Sequence, residues 1–202
     1  ESFKKDKDII LKAIDWKHDA IKYADVTMKN NQEIGLAVVK KDGLCLQFLG
    51  DSLKQNKVVV LEAVKNNFWS LKFANNFLKS DKDVVLAALK EDAYAFHMVD
   101  NSLKKDNEFM LLALTECGRV LEYADESLKK DKEVVLAAVR QNGWALQYAD
   151  ESLKKDKEVV LAAVRQNGTA LEYADESLKK DKEMVLAAVR QNGIALQYAD
   201  ES

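Results

Sequence analysis

The sequence predicts an all-α fold, an α-solenoid of eight 25-residue two-helix repeats. Three observations carry this expectation. A period of 25 residues holds without a gap from Ser2 to Ser202, an Asp or Asn stands at one fixed place before every apolar run, and the chain contains no proline. A fixed period of this length marks a repeat array, in which each unit is one small motif that cannot bury its apolar face alone. The repeats are 2–26, 27–51, 52–76, 77–101, 102–126, 127–151, 152–176 and 177–201, read as a single repeat domain over residues 1–202.

Repeat 127–151, SLKKDKEVVLAAVRQNGWALQYADE, shows each element in order. Its fifth residue is Asp131, and the equivalents are Asp6, Asn31, Asn56, Asp81, Asp106, Asp156 and Asp181. These side chains accept hydrogen bonds from the free N–H groups that open a helix. An acidic residue follows two places later in seven repeats, where the helix dipole favours it, and Val58 is the exception. The apolar run VVLAAV and Arg140 complete a first helix predicted over about Lys132–Asn142. Gly143 then reads as a left-handed C-terminal stop. His18, Phe68 and Ala93 replace that glycine, so looser stops or longer helices are expected there.

The second helix is expected to begin near Trp144, with Ala145, Leu146, Tyr148 and Ala149 on its inner face. Asp150 and Glu151 each precede a lysine by four residues, Lys154 and Lys155, the favourable orientation for ion pairs along one helix. That spacing predicts a helix running almost to the next cap. Apolar positions repeat closely. The centre of the first helix is leucine in every repeat, from Leu11 to Leu186, and the aromatic position of the second holds Tyr23, Phe48, Phe73, Met98, Tyr123, Tyr148, Tyr173 and Tyr198. Helices shorter than about 12 residues are marginal alone, so neighbouring repeats must share one core.

The string DKEVVLAAVRQNGWALQYADESLKKDKE resembles the repeat family known as domain of unknown function 4116, seen in multi-copy arrays. The resemblance covers the whole chain. It is strong from Ser127 onward and weaker before it, where Gly35 and Phe77 depart from the pattern. It implies a helical repeat array. It implies no activity and supplies no catalytic residues.

Bulk properties exclude several function classes. The chain is 48% hydrophobic and 32% charged, with 31 basic and 34 acidic residues for a net charge of −3. That balance leaves no electrostatic footprint for nucleic acid, and nucleic acid is not expected as a partner. No apolar run approaches the roughly 20 residues that span a bilayer, so no membrane role is expected. The chain has no initiator methionine and starts and ends in the same phase of the repeat, Glu1-Ser2 and Glu201-Ser202. A piece of a longer array is expected. Cys45 and Cys117 are 72 residues apart, too far within a stack of repeats for a disulfide. Reduced thiols and a cytoplasmic or otherwise intracellular setting follow, including within a protein delivered into a host cell.

No enzyme, cofactor or metal site is expected. His18 and His97 lie 79 residues apart and read as two separate surface imidazoles. The acidic pairs Asp125-Glu126, Asp150-Glu151 and Asp175-Glu176 point about 100° apart on a helix and do not converge. The Lys129-Lys130-Asp131-Lys132 run and its copies could form a basic ridge, but the repeat is neutral, with four basic and four acidic residues. No Gly-rich phosphate loop, nucleophile elbow or paired-cysteine motif occurs.

The variable positions remain. Trp144, Gln147 and Glu151 fall at i, i+3 and i+7, one stripe of the expected second helix. The Gln147 position is polar in all eight repeats, Lys22, Gln47, Lys72, His97, Glu122, Gln147, Glu172 and Gln197, and is therefore expected to be exposed. The Trp144 position reads Asp19, Leu44, Trp69, Tyr94, Arg119, Trp144, Thr169, Ile194. No buried position would take Asp, Arg, Trp and Thr alike, so this one is expected to be at least half exposed. Drift at a tolerant surface explains the variation. So does a ladder of partner-binding side chains, because Trp, Tyr and Arg are the residue types that anchor interfaces. The candidate partner-binding residues are Leu44, Trp69, Tyr94, Arg119, Trp144, Thr169, Ile194, His97, Gln147 and Glu172. The expected function is a non-enzymatic scaffold for an unidentified protein partner or a rigid spacer. The alternatives are a nucleic-acid-binding helical repeat and the structural arm of a larger enzyme or effector.

Overall fold

A computed structural model describes residues 2–200. Among the described residues every regular element is helical. The fold is an all-α repeat solenoid, divided into two compact units, Glu1–Asp100 and Asn101–Ser202. Each is described by itself.

The repeat holds three helical segments rather than two. In the unit Asn101–Ser202, one repeat runs through the α-helix Lys132–Gln141, the 3-10 helix Gly143–Tyr148 and the short helix Glu151–Lys154. The first helix forms as the caps predict. Asp131 Oδ1 accepts from the N–H groups of Glu133 and Val134, and the same acceptance recurs at Asp6, Asn31, Asn56, Asp81, Asp156 and Asp181. Asp106 accepts from Phe109 N–H.

The expected long second helix does not form. It ends at Tyr148, because Ala149 and Asp150 adopt extended backbone, φ −69° ψ 153° and φ −59° ψ 149°. Asp150 is spent as a cap instead: its Oδ1 accepts from Ser152 N–H at 3.0 Å and Ser152 Oγ at 2.6 Å. The expected i,i+4 pairs are replaced by Lys154–Glu151 at i,i+3, 2.8 Å, and by Lys155 reaching Asp175 at the far end of its own repeat at 3.7 Å. A backbone bond from Asp150 N–H to Lys129 C=O, 3.0 Å, closes each repeat on its own opening helix; Asp175 and Lys154 do the same.

Within each unit the long helices pack side by side in one row and the 3-10 helices in a second, with the core between. That core is Val134, Val135, Ala138, Val139, Ala145 and Leu146, all fully or nearly fully buried, as are most of their equivalents; Ile9 and Leu196, in the first and last repeats, are exposed. The invariant leucine is not at its centre. Leu136 is buried, Leu161 is half-buried, and Leu186 is 44% exposed. It sits at the solvent edge of the long helix, one position past the Val-Val pair that faces inward. The aromatic position is likewise half-buried in most repeats, and Tyr23 is exposed.

The glycine after the long helix is not a left-handed stop. No glycine among the described residues has positive φ, and the cap residue Asn142 is extended at φ −145°. Glycine is required by proximity: a Cβ at Gly143 would lie 2.4 Å from the carbonyl oxygen of Ala163 in the next repeat. Gly43, Gly118 and Gly168 meet the same carbonyl of their neighbours at 2.2–2.4 Å. Where His18, Phe68 and Ala93 stand instead, the preceding helices Lys7–Trp16, Lys57–Asn66 and Lys82–Glu91 keep the same ten residues and the same extended cap. The longer or looser helices expected there do not occur, because a C-terminus that never used a left-handed residue loses nothing without glycine.

Close approach is matched by an amide bridge. Gln166 Oε1 accepts from Gly143 N–H at 2.5 Å, and Gln166 Nε2 donates to Gln141 C=O at 3.1 Å. One side chain thus satisfies an N–H and a helix-terminal carbonyl of the previous repeat. Gln141 does the same for Gly118 and Glu116, Gln191 for Gly168 and Gln166, and Asn66 for Gly43 and Lys40. The residues 23 positions after His18, Phe68 and Ala93 are Lys41, Glu91 and Glu116, none of them an amide. Gly and Gln/Asn therefore travel together as one device.

Ion pairs add a second link. Lys132 bridges to the next repeat's cap Asp156 at 2.8 Å and to Glu158 at 2.9 Å. Lys57 makes the equivalent pair with Asp81 and Asp83, Lys157 pairs with Asp181, and Lys7 pairs with Glu33. The Lys132 ammonium holds the Asp156 carboxyl below the usual carboxylate range, and Lys157 does the same for Asp181.

Candidate functional site

The variable positions lie on the 3-10 helices. A 3-10 helix has three residues per turn, so residues i and i+3 eclipse. Trp144 and Gln147 therefore share one face of Gly143–Tyr148, as expected. Glu151 does not join them, since the chain breaks at Ala149 and Glu151 opens the next helix. Six of these 3-10 helices are started by an Asx turn that fixes the variable residue: Asn142 Oδ1 accepts from Trp144 N–H at 3.1 Å, and Asp42, Asn67, Asp92, Asn167 and Asn192 do so for Leu44, Trp69, Tyr94, Thr169 and Ile194, while Lys17 and Cys117 before Asp19 and Arg119 make no such bond.

In the unit Glu1–Asp100 the face carries a run of stacked rings. Phe68 and Trp69 have centroids 5.3 Å apart, Trp69 and Tyr94 5.2 Å, and Tyr94 and His97 4.6 Å. The stack crosses from one repeat to the next, because the 25-residue period places Trp69 and Tyr94 side by side. Both remain exposed, at 42% and 44%. His97 is exposed and Leu44 half-buried. Tilted ring pairs of this separation attract one another, which favours one arrangement of each aromatic.

In the unit Asn101–Ser202 the face bears a groove of about 530 Å³ lined by Cys117, Arg119, Trp144, Gln147, Tyr148 and the amides of Gln141, Asn142, Gln166 and Asn167. Trp144 is 49% exposed, yet its orientation is set: Nε1 donates to Thr169 Oγ1 of the next repeat at 2.9 Å, and Thr169 Oγ1 donates to Asn167 Oδ1 at 2.7 Å. Gln147, whose all-polar position reads as exposed in the sequence, is half-buried in the groove wall. Thr169 is also half-buried, while Arg119, Glu172 and Ile194 are exposed. Burial, and then a hydrogen bond to Glu122, raise the Tyr148 hydroxyl above its ordinary value. Tyr198 is raised by its own burial and by Glu172. The Glu or Gln alternation of the variable position thus decides which tyrosine hydroxyl finds a carboxylate.

The basic run does not form a free ridge. In the unit Asn101–Ser202, Lys132 is held by Asp156 and Glu158, Lys129 by Glu126, Lys154 by Glu151 and Lys155 by Asp175. Both cysteines are free thiols. His18 is not the isolated imidazole expected: its Nε2 lies 3.0 Å from Asp42 Oδ2, beside Cys45.

A family model described as "Domain of unknown function (DUF4116)" matches residues 31–79, 59–104, 81–129, 106–154, 131–179 and 156–202. These matches run over most of the chain in repeat-sized steps, and the chain belongs to this family. No curated protein and no solved structure matches it. No helix among the described residues is long and apolar enough to cross a membrane.

Proposed function

We propose that this array is a non-enzymatic protein-interaction module, and that the 3-10 helix face of each unit takes an extended segment of a partner. One observation supports this reading above the others. The aromatic residues of that face are exposed and at the same time locked, Trp69 and Tyr94 by ring stacking across repeats and Trp144 by a hydrogen bond to Thr169. Held rings give a partner apolar area at low entropic cost, the property of interface anchors. The Gln147 amide and the side-chain N–H groups of Asn142 and Asn167, which the bridges between repeats and the Asx turns do not use, supply polar groups that match a peptide backbone, and Arg119 adds a cation at the groove edge. Leu44, His97, Gln147, Glu172 and Ile194 complete the set, each on the same 3-10 faces.

The test is capture from lysate with this array beside a variant carrying Ala at Leu44, Trp69, Tyr94, Arg119, Trp144 and Ile194. A protein retained by the first and lost with the second, both helical by circular dichroism, supports the face. Equal capture by both moves the site elsewhere. Capture that falls steeply with salt favours the nucleic-acid alternative, since phosphate contacts release counterions and apolar contacts do not.

A further inference from the structure

Three chemically different side chains meet at one point in the unit Glu1–Asp100. His18 Nε2, a carboxylate oxygen of Asp42 and Cys45 Sγ all lie within 4.8 Å of one another. His18 Nε2 is 3.0 Å from Asp42 Oδ2, and Cys45 Sγ is 3.8 Å from the same oxygen. Tetrahedral zinc, with bonds of about 2.0–2.3 Å to N, O and S, needs ligand atoms about 3.4–3.6 Å apart. The three atoms therefore stand within a few tenths of an ångström of two of those edges.

Each ligand is set by the fold. Asp42 Oδ1 is used by the Asx turn, accepting Leu44 N–H at 2.9 Å, which aims Oδ2 at the other two groups. Cys45 is buried at 1% exposure inside the 3-10 helix Gly43–Phe48, and His18 stands half-exposed at the rim. Asp19 follows His18 directly, and its Oδ1 is buried without a hydrogen bond, with Lys17 Nζ 3.9 Å away. Burial, and after it the Asp42 and Asp19 carboxylates, push the Cys45 thiol up to about 12, while Asp19 Oδ2 itself accepts from Lys22 Nζ at 2.8 Å.

We propose that His18, Asp42 and Cys45 form a binding site for a single zinc-class divalent cation, with the fourth position open to water. Imidazole, carboxylate and thiolate together suit a borderline-soft ion such as Zn²⁺. Binding releases the Cys45 thiol proton to solvent, and any proton His18 shares with Asp42, so affinity rises with pH. The site ties the first repeat to the second at the one junction of that unit where His18 fills the glycine position and Lys41 cannot serve as its amide partner.

The array contains its own controls. Elsewhere the three positions hold Gly143, Asn142 and Ala145, so His18→Gly, Asp42→Asn and Cys45→Ala all install residues the repeat already accommodates. The chain is stripped with chelator, dialysed and titrated with Zn²⁺ by calorimetry, then with Co²⁺ by visible absorption. The expected result is one ion per chain, a thiolate-to-cobalt charge-transfer band, and affinity weakened at least about tenfold by each substitution. His97→Gln and Cys117→Ser should change neither. The proposal is overturned if the folded chain binds no ion, if binding survives Cys45→Ala and His18→Gly, or if the His97 or Cys117 variant abolishes it. Circular dichroism of the apo variants separates loss of site from loss of fold.

Discussion

Gly143→Ala and Gly193→Ala form a matched pair that tests why the repeat keeps its glycine. Both sit in the same local sequence, Gln-Asn-Gly before an Ala-Leu-Gln-Tyr-Ala-Asp run, and neither has positive φ. A Cβ at Gly143 would stand 2.4 Å from Ala163 O and 3.0 Å from Gln166 Oε1. Ordinary contact begins near 3.4 Å, so the interface between repeats would have to open by roughly 1 Å. Such overpacking costs about 1–3 kcal/mol, and stretching the Gly143–Gln166 bond adds about 1 kcal/mol. A Cβ at Gly193 meets nothing within 4 Å. There the substitution only stiffens the unfolded chain and favours the helix, a gain of about 0.4–1 kcal/mol. Urea unfolding of this 202-residue chain, followed by circular dichroism, reads both. The midpoint should fall for Gly143→Ala and hold or rise for Gly193→Ala. Equal losses in both would mean the glycine serves local backbone conformation, and the close-approach argument would fail.

Other predictions use the same measurement. Leu146→Ala, at a fully buried position, should cost about 2–5 kcal/mol, and Leu186→Ala, 44% exposed, well under about 1 kcal/mol; a reversed order would put the core on the wrong face. Asp131→Ala removes a cap from the N–H groups of Glu133 and Val134 and should cost about 1 kcal/mol, while an unchanged midpoint would discount the cap. The depressed carboxyls of Asp156 and Asp181 set the sign of the acid response. Their stabilisation is present above the ordinary carboxylate value, about 4, and is lost as pH falls through the lower folded values. The midpoint should drop in that window, and less so in Asp156→Asn; an unaltered acid profile in that variant would show that the Lys132 link contributes nothing.

The period, the caps and the face of the variable residues were legible in the sequence because each rests on local rules. An Asp or Asn before an apolar run caps a helix whatever surrounds it, and Asp6 through Asp181 do so. The position that takes Asp19, Leu44, Trp69 and Arg119 alike must face solvent at least in part, and it does. The candidate residues were therefore placed on one face of each unit, though not their mutual contacts. The Trp69–Tyr94 stack and the Trp144–Thr169 bond join residues 25 apart, which a single-repeat reading treats as separate teeth of a comb.

Other features depend on where one repeat meets the next. Leu11 to Leu186 look like core because they are invariant and apolar, yet the inward direction of the long helix is set by its neighbours and points through the Val-Val pair instead. The second helix looks continuous from its charge spacing, but Asp150 gains more as a cap with Ser152 than as an i,i+4 partner, and the chain breaks there. Gly143 reads as a local stop, while its cause is a carbonyl 20 residues ahead, brought close by stacking. His18, Asp42 and Cys45 stay scattered until the period is applied as a distance rule: 18 plus 25 falls between 42 and 45. By itself the sequence determined the repeat and its caps, since a hydrogen bond to the nearest free N–H needs no partner from afar. Tertiary structure alone decided which side chains face the core, why glycine is kept and which polar groups converge, because those depend on a second repeat approaching within contact distance.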